Sequence, residues 1–185
     1  MTGLFGGAFD PPHNGHVALA ETALERFGLE RLLVLVVVDP GHRGVVLDLP
    51  TRFGLAELAF GDLARTEVVE EEHGYTVDSV HGGRFGEAIF LVGADEFAGF
   101  LSWKDPNGVL DEVRLGVATR PGFPPETLEP VLRGLERPDR VAFFDIPELP
   151  ISGTEIRARA ARREPLDELV PPAVAAEIDR LGLYR

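Results

Sequence analysis

Cysteine is absent from the 185 residues, which excludes a disulfide framework, a thiolate metal site and a cysteine nucleophile. Lysine is nearly absent. Of the 18 basic side chains only Lys104 is a lysine, and with abundant Ala, Gly and Pro this reads as codon bias that puts Arg where relatives carry Lys. Long apolar runs are missing as well: the longest, Leu32 to Val38, is far too short to span a bilayer, so no membrane partner is expected. No leader-like stretch precedes the first predicted strand, which makes the cytoplasm the expected location. Positive charge is in deficit, with a formal net charge of −13. A sequence-independent nucleic-acid binder needs a basic surface, so that class is excluded. A small phosphorylated ligand is not, because a local pocket and helix N-termini can supply the field it needs.

What remains is an ordinary globular composition, 44% hydrophobic and 26% charged, long enough for one domain over residues 1–185 with its own core. No repeat or linker divides it. Apolar segments at Thr2–Phe5, Leu32–Val38, Ala88–Val92, Leu115–Thr119 and Val141–Phe144 read as strands, with a weaker one at Thr66–Glu70. Between them lie segments of helical period. Val17, Ala20, Leu24 and Phe27 recur at helical spacing before Gly28; Thr51 is placed to cap a helix whose Leu55, Leu58 and Ala59 face inward. Further helices are expected over Tyr75–His81, Glu96–Trp103, Val109–Val113, Leu128–Leu135, Ser152–Arg163 and Pro172–Leu181. The triplet Glu70-Glu71-Glu72 reads as a solvated turn. Strand–helix alternation with Val-rich strands predicts an α/β fold: a Rossmann-like doubly wound parallel sheet with helices on both faces. Ligands of such sheets bind at the C-terminal strand edge, where the strand order reverses.

Two motifs are expected on that edge. The first is Gly6-Gly7-Ala8-Phe9-Asp10-Pro11-Pro12-His13-Asn14-Gly15-His16. It reads as a strand, a glycine turn, a proline-stiffened bend and a helix start that carries two histidines on one face, a phosphate site in outline. Its adjacent glycines do not match G-x-G-x-x-G, and no Walker lysine follows. No Glu-x-x-His partner or third histidine stands at ligand spacing, so no metal site is assigned. The second motif is Ile151-Ser152-Gly153-Thr154-Glu155-Ile156-Arg157, where Ser152 and Glu155 have capping-box spacing.

The first motif resembles the G-G-T-F-D-P-x-H-x-G-H signature of the nucleotidyltransferases with a His-x-Gly-His motif, and the second resembles their I-S-S-T-x-I-R. Within that superfamily, Gly74-Tyr75-Thr76-Val77-Asp78, Leu91-Val92-Gly93-Ala94-Asp95 with Trp103-Lys104, and Arg120-Pro121-Gly122-Phe123 resemble segments of bacterial nicotinate-nucleotide adenylyltransferases. The resemblance implies adenylyl transfer from ATP to nicotinate mononucleotide, with Mg²⁺ carried in on ATP. It implies that His13 and His16 act on the triphosphate, His16 foremost. ATP is then expected at Gly6, Gly7, Ala8, Phe9, His13, Gly15, His16, Gly93, Asp95, Ile151, Ser152, Thr154 and Arg157. By the same resemblance Trp103, which spacing alone would put in the core, is expected to stack on the acceptor's pyridine ring, with Tyr75, Thr76 and Lys104 completing that half. Asp10 orders the turn.

Three departures stand out. Ala8 replaces a Thr and Gly153 a Ser. Asp39-Pro40-Gly41-His42-Arg43-Gly44 replaces the P-P-H-K loop, with Arg43 the stand-in for the lysine that meets the acceptor phosphate. Because that loop serves the acceptor, nicotinamide mononucleotide or another phosphorylated acceptor stays open, as does a non-catalytic nucleotide-binding relative. A phosphate-ester hydrolase would need a metal cluster or nucleophile that the sequence does not offer. The sequence leaves room for a homo-oligomer.

Overall fold

A strand places successive side chains on opposite faces, and that period sorts the apolar runs into two layers. The computed structural model describes residues 1–41, 44–119 and 125–185. Among them β1 (Thr2–Gly7), β2 (Arg31–Val37), β3 (Thr66–Glu71), β4 (Ala88–Gly93), β5 (Arg114–Thr119) and β6 (Val141–Asp145) form one sheet in the order β3-β2-β1-β4-β5-β6. Every neighbouring pair is parallel. Leu4, Leu33, Leu35, Phe90, Val92, Leu115 and Val117 face one layer, where Phe97, Phe100, Leu110 and Leu128 cover them. Phe5, Leu32, Val34, Val36, Ile89, Leu91 and Ala118 face the other, against Leu19, Leu24 and Phe60. This is why the central strands are continuously apolar.

The helices are α1 (Asn14–Arg26), α2 (Leu49–Phe60), α3 (Thr76–Val80), α4 (Ala94–Ala98), α5 (Pro106–Glu112), α6 (Pro125–Arg133), α7 (Gly153–Ala161) and α8 (Pro172–Leu181). α1 and α2 lie on one face of the sheet, α4, α5 and α6 on the other. α7 and α8 pack through Ile156, Ala160, Val174 and Ile178 on Leu55, which fixes the second motif against α2. No helix among the described residues is long and apolar enough to cross a membrane. The strand order reverses between β1 and β4, so the C-terminal ends of those two strands mark the switch point expected to hold a ligand.

Several expectations are corrected. β1 runs on to Gly7, so the two glycines lie in the strand and the turn begins after them. α1 begins at Asn14, so the two histidines do stand at the helix start, with His13 as the cap just outside it. The cap of α2 is Asp48, whose carboxylate accepts the Thr51 N–H at 3.1 Å, so Thr51 lies inside the helix. Leu58 is exposed, and Arg52 takes the inward position. The helix expected over Glu96–Trp103 breaks: α4 ends at Ala98, Gly99 follows, and Phe100–Ser102 is a 3₁₀ turn. Glu71 is not solvated. Its exposure is 1%, because β3 extends to include it and the strand period turns it inward with Val69. The Arg120–Phe123 loop and Arg43 lie outside the described residues.

Candidate active site

The turn after β1 is held by aromatic packing. Phe9 takes φ 50, a left-handed value that costs a non-glycine residue about 1 kcal/mol. Its ring is buried edge-on against Phe5 (5.5 Å between centroids), Phe60 (5.4 Å) and His16 (5.3 Å). Burial of a Phe side chain stabilises by roughly 2 kcal/mol, which offsets that strain. Gly7 is required beside it, since a Cβ there would stand 2.9 Å from the Phe9 ring. An Asp10–Pro11 cis peptide follows. The chain thus doubles back and enters α1 at His13.

The two histidines cap their own helix. His13 is the N-cap residue, extended at φ −145 and ψ 169; its Nδ1 accepts the His16 N–H at 3.3 Å. Reciprocally, His16 Nδ1 accepts the His13 N–H at 3.2 Å. This is a capping box built from imidazoles instead of Ser and Glu. The rings stack with centroids 3.6 Å apart and planes 16° from parallel. Gly15 between them leaves room: a Cβ there would come within 3.1 Å of His13 Nδ1. An Nδ1 that accepts an N–H carries no proton, so each neutral ring holds its proton on Nε2. The box therefore fixes both tautomers.

Burial lowers the His13 pKa from 6.5 to about 4, against a smaller upward pull from its backbone hydrogen bond. The neutral ring is a hydrogen-bond donor without a charge. In the unfolded chain His13 binds a proton near pH 6.5, so its contribution to stability is complete above pH 6.5 and is lost as pH falls toward 4. The loss is on the order of 3 kcal/mol. Urea unfolding at pH 7 and pH 4 checks this: the wild-type loss should exceed that of His13→Asn, which retains a capping oxygen and has nothing to titrate. Equal losses would refute it.

The helix start itself offers less than the sequence suggested. Asn14 N–H donates to the Leu169 carbonyl at 2.9 Å, and His16 N–H is taken by His13.

These residues line one cavity of about 990 Å³ at the switch point. Of the expected ATP half, Gly6, Gly7, Ala8, Phe9, His13, Gly15, His16, Gly93, Asp95, Ile151, Ser152 and Arg157 line it. Thr154 does not: its Oγ1 accepts an Arg157 Nη2–H at 3.2 Å. Arg157 Nη1 donates to the Asp10 carbonyl at 2.7 Å, bringing the two motifs together across 147 residues. A Cβ at Gly153 would stand 3.1 Å from that Nη1, so the glycine in place of Ser accommodates the reach. Ser152 caps α7 by accepting the Glu155 N–H at 3.2 Å. Glu155 does not reach back; its carboxylate accepts from Arg159 at 2.8 Å, so only half of the predicted capping box forms.

Of the acceptor half, Tyr75, Thr76, Trp103 and Lys104 line the same cavity. Trp103 stands edge-on to Phe90 (6.5 Å, 89°) and Phe100 (5.1 Å, 65°), which sets the plane of its indole. Lys104 donates to both Asp78 carboxylate oxygens (2.7 and 3.0 Å) and lies 4.9 Å from the Tyr75 ring centroid. Glu71 also reaches the cavity wall, accepting from Arg84 (3.0 Å), His73 N–H (3.0 Å) and His73 Nδ1 (2.7 Å).

Two features had been missed. Arg52, with 1% exposure, donates to the carbonyls of Ala8 (2.8 Å), Val37 (3.0 Å), Val38 (3.1 Å) and Leu47 (3.2 Å). Burial pulls its pKa down, opposed by Asp10 and Asp48. An arginine at the inward i−3 position from Leu55 was the available signal. The second is the reach of the Asp10 carboxylate beyond the turn it was expected to order: Oδ1 accepts the Tyr184 hydroxyl at 2.7 Å and Oδ2 the Val46 N–H.

A parallel sheet whose switch point carries a tautomer-fixed histidine pair and a second capped helix has the frame of a nucleotidyltransferase. The cytidylyltransferase-like family model matches residues 4–159. The probable nicotinate-nucleotide adenylyltransferase of Moorella thermoacetica is 36% identical, covering 99% of this chain and 91% of the relative. Those of Chromobacterium violaceum and Thermus thermophilus are each 34% identical, covering 99% of this chain and 98% of theirs. The solved Plasmodium falciparum nicotinic acid mononucleotide adenylyltransferase complexed with NaAD shares the fold, with a TM-score of 0.79 at 16% identity over 99% of this chain and 96% of that one. The chain belongs to the nicotinate-nucleotide adenylyltransferase family.

Proposed function

We propose that the protein transfers the adenylyl group of ATP to nicotinate mononucleotide, giving nicotinate adenine dinucleotide and pyrophosphate. One arrangement carries this reading: two imidazole Nε2–H donors share a cavity with an aromatic wall of Tyr75 and Trp103. A phosphate monoester is largely dianionic near neutral pH, so the acceptor supplies its own nucleophile. Its oxygen bonds to the α-phosphorus, the bond from that phosphorus to the bridging oxygen breaks, and pyrophosphate leaves with the electron pair. No protein base is needed. Catalysis is positioning and charge stabilisation.

In this reading His16 and His13 donate to the phosphate oxygens where negative charge builds, with His16 nearer the reacting centre. Gly6, Gly7, Ala8 and Phe9 give the nucleotide close backbone approach, and Gly93 with Asp95 take the ribose. Ser152, Ile151 and Arg157 close on the distal phosphates; Thr154 acts through Arg157. Trp103 stacks on the pyridine ring, Tyr75 and Thr76 recognise its substituent, and Lys104 and Arg43 serve the acceptor. Mg²⁺ would arrive with ATP and be held mainly by its phosphates and water. That ion neutralises phosphate charge. The cytoplasm is the compartment this reading favours.

The test is to mix the protein with ATP, Mg²⁺ and either nicotinate or nicotinamide mononucleotide, following pyrophosphate and dinucleotide. Product with the acid acceptor in preference to the amide is expected. Preference for the amide overturns the acceptor, and no product with either overturns the transferase.

A further inference from the structure

We infer that Tyr184 is a positioning residue of this site, acting through Asp10 on the acceptor side of the cavity. Asp10 is only 8% exposed, so its carboxylate depends on protein donors for charge-assisted hydrogen bonds. Two converge on it from far along the chain. The Tyr184 hydroxyl donates to Oδ1 at 2.7 Å across 174 residues, and the Val46 N–H donates to Oδ2 across 36. The backbone carbonyl of the same residue takes the Arg157 bond. Asp10 thus joins the first motif to three separate segments.

The side-chain and main-chain bonds divide the labour. Val46 belongs to the connection between β2 and α2, whose Pro40, Gly44 and Val45 line the cavity and whose Asp39 carbonyl would stand 3.2 Å from a Cβ at Gly74, the residue before Tyr75. Val46 itself is 63% exposed, so its apolar side chain does little to hold that connection; its N–H bond to Asp10 ties down the middle of a segment whose two stems Arg52 holds at Val38 and Leu47. Tyr184 holds the carboxylate in the rotamer that receives this N–H. The hydroxyl keeps its proton: burial first, then the bond to Asp10, raise its pKa well above the ordinary tyrosine value. Leu183 and Tyr184 are themselves seated against the cluster of α7 and α8, so the donor comes from a packed element. Removing the hydroxyl leaves the Arg157 bond to the Asp10 carbonyl in place. The effect should therefore fall on the acceptor and spare ATP.

The inference rests on the proposed transferase reading for its kinetic arm, and amide exchange tests it without activity. In Tyr184→Phe, exchange at the Val46 amide should speed up by about tenfold, since its acceptor is no longer held. The KM for nicotinate mononucleotide should rise about five- to tenfold, with the KM for ATP and kcat within about twofold. In an Asp10→Asn background the same substitution should change the acceptor KM by less than about twofold, because the group it acts through is already altered. Unchanged Val46 exchange overturns the clasp. Faster exchange with an unmoved acceptor KM, equal rises for both substrates, or full effect in the Asp10→Asn background overturns the positioning role. Wild-type protein inactive with every pyridine mononucleotide would refute the transferase reading, and Val46 exchange would still decide the clasp.

Discussion

Replacing His16 by Ala should lower turnover by about 10²- to 10³-fold, the loss seen when one preorganised donor to a developing oxyanion is removed. The structure makes the interpretation less direct than a missing donor, because His16 has a second task. Its Nδ1 accepts the His13 N–H, so the Ala variant also loses half of the helix cap, about 1 kcal/mol of stability. His13 would lose its stacked neighbour at the same time. His16→Asn separates the two effects. The amide oxygen can accept the His13 N–H and restore the cap, while the shorter side chain cannot carry a proton to the Nε2 position. The expected result is stability near wild type by urea unfolding, with turnover still reduced at least a hundredfold. Recovery of turnover in His16→Asn would make the histidine a cap and nothing more.

The legible part of this molecule was what depends on local pattern. The continuously apolar runs Leu32–Val38 and Ala88–Val92 announced buried parallel strands, and the sheet follows with the strand order that places both motifs at one edge. α8 occupies the expected Pro172–Leu181 because its apolar period and Gly182 are both local signals. What failed to show was decided by distant partners. The motif placed two histidines at a helix start, but their reciprocal box did not show, because it needs both rings in place at once. Glu70-Glu71-Glu72 looked like a solvated triplet because Arg84, which neutralises the middle one, lies 13 residues on. Arg52 went unread because its ligands are backbone carbonyls, which carry no side-chain signature. The site was legible as a set of residue types, and its supports were not.

Arg52→Met should destabilise the protein by about 4 kcal/mol, the largest stability effect we expect from one substitution outside the apolar core. The guanidinium binds the carbonyls of Val38 and Leu47, the two stems of the β2–α2 connection, and that of Ala8 in the first motif. Methionine fills much of the volume but donates nothing. Those oxygens and that of Val37 would each lose a charge-assisted bond, in a region where an unmatched buried acceptor costs roughly 1–3 kcal/mol. Relaxation toward water recovers part, which keeps the total near the cost of breaking a buried charged pair. For a chain of this size the melting temperature should fall by about 8–16 °C. Arg52→Lys tests the geometry. A single ammonium has three donors at one point and cannot span stems that the planar fork reaches from three nitrogens. It should recover less than half of the loss, and the acceptor KM should rise with it because the same stems shape that wall. If Lys restores full stability, charge alone holds the connection; if Met costs under about 1 kcal/mol, the carbonyls have found other donors and Arg52 is not the staple that its bonds describe.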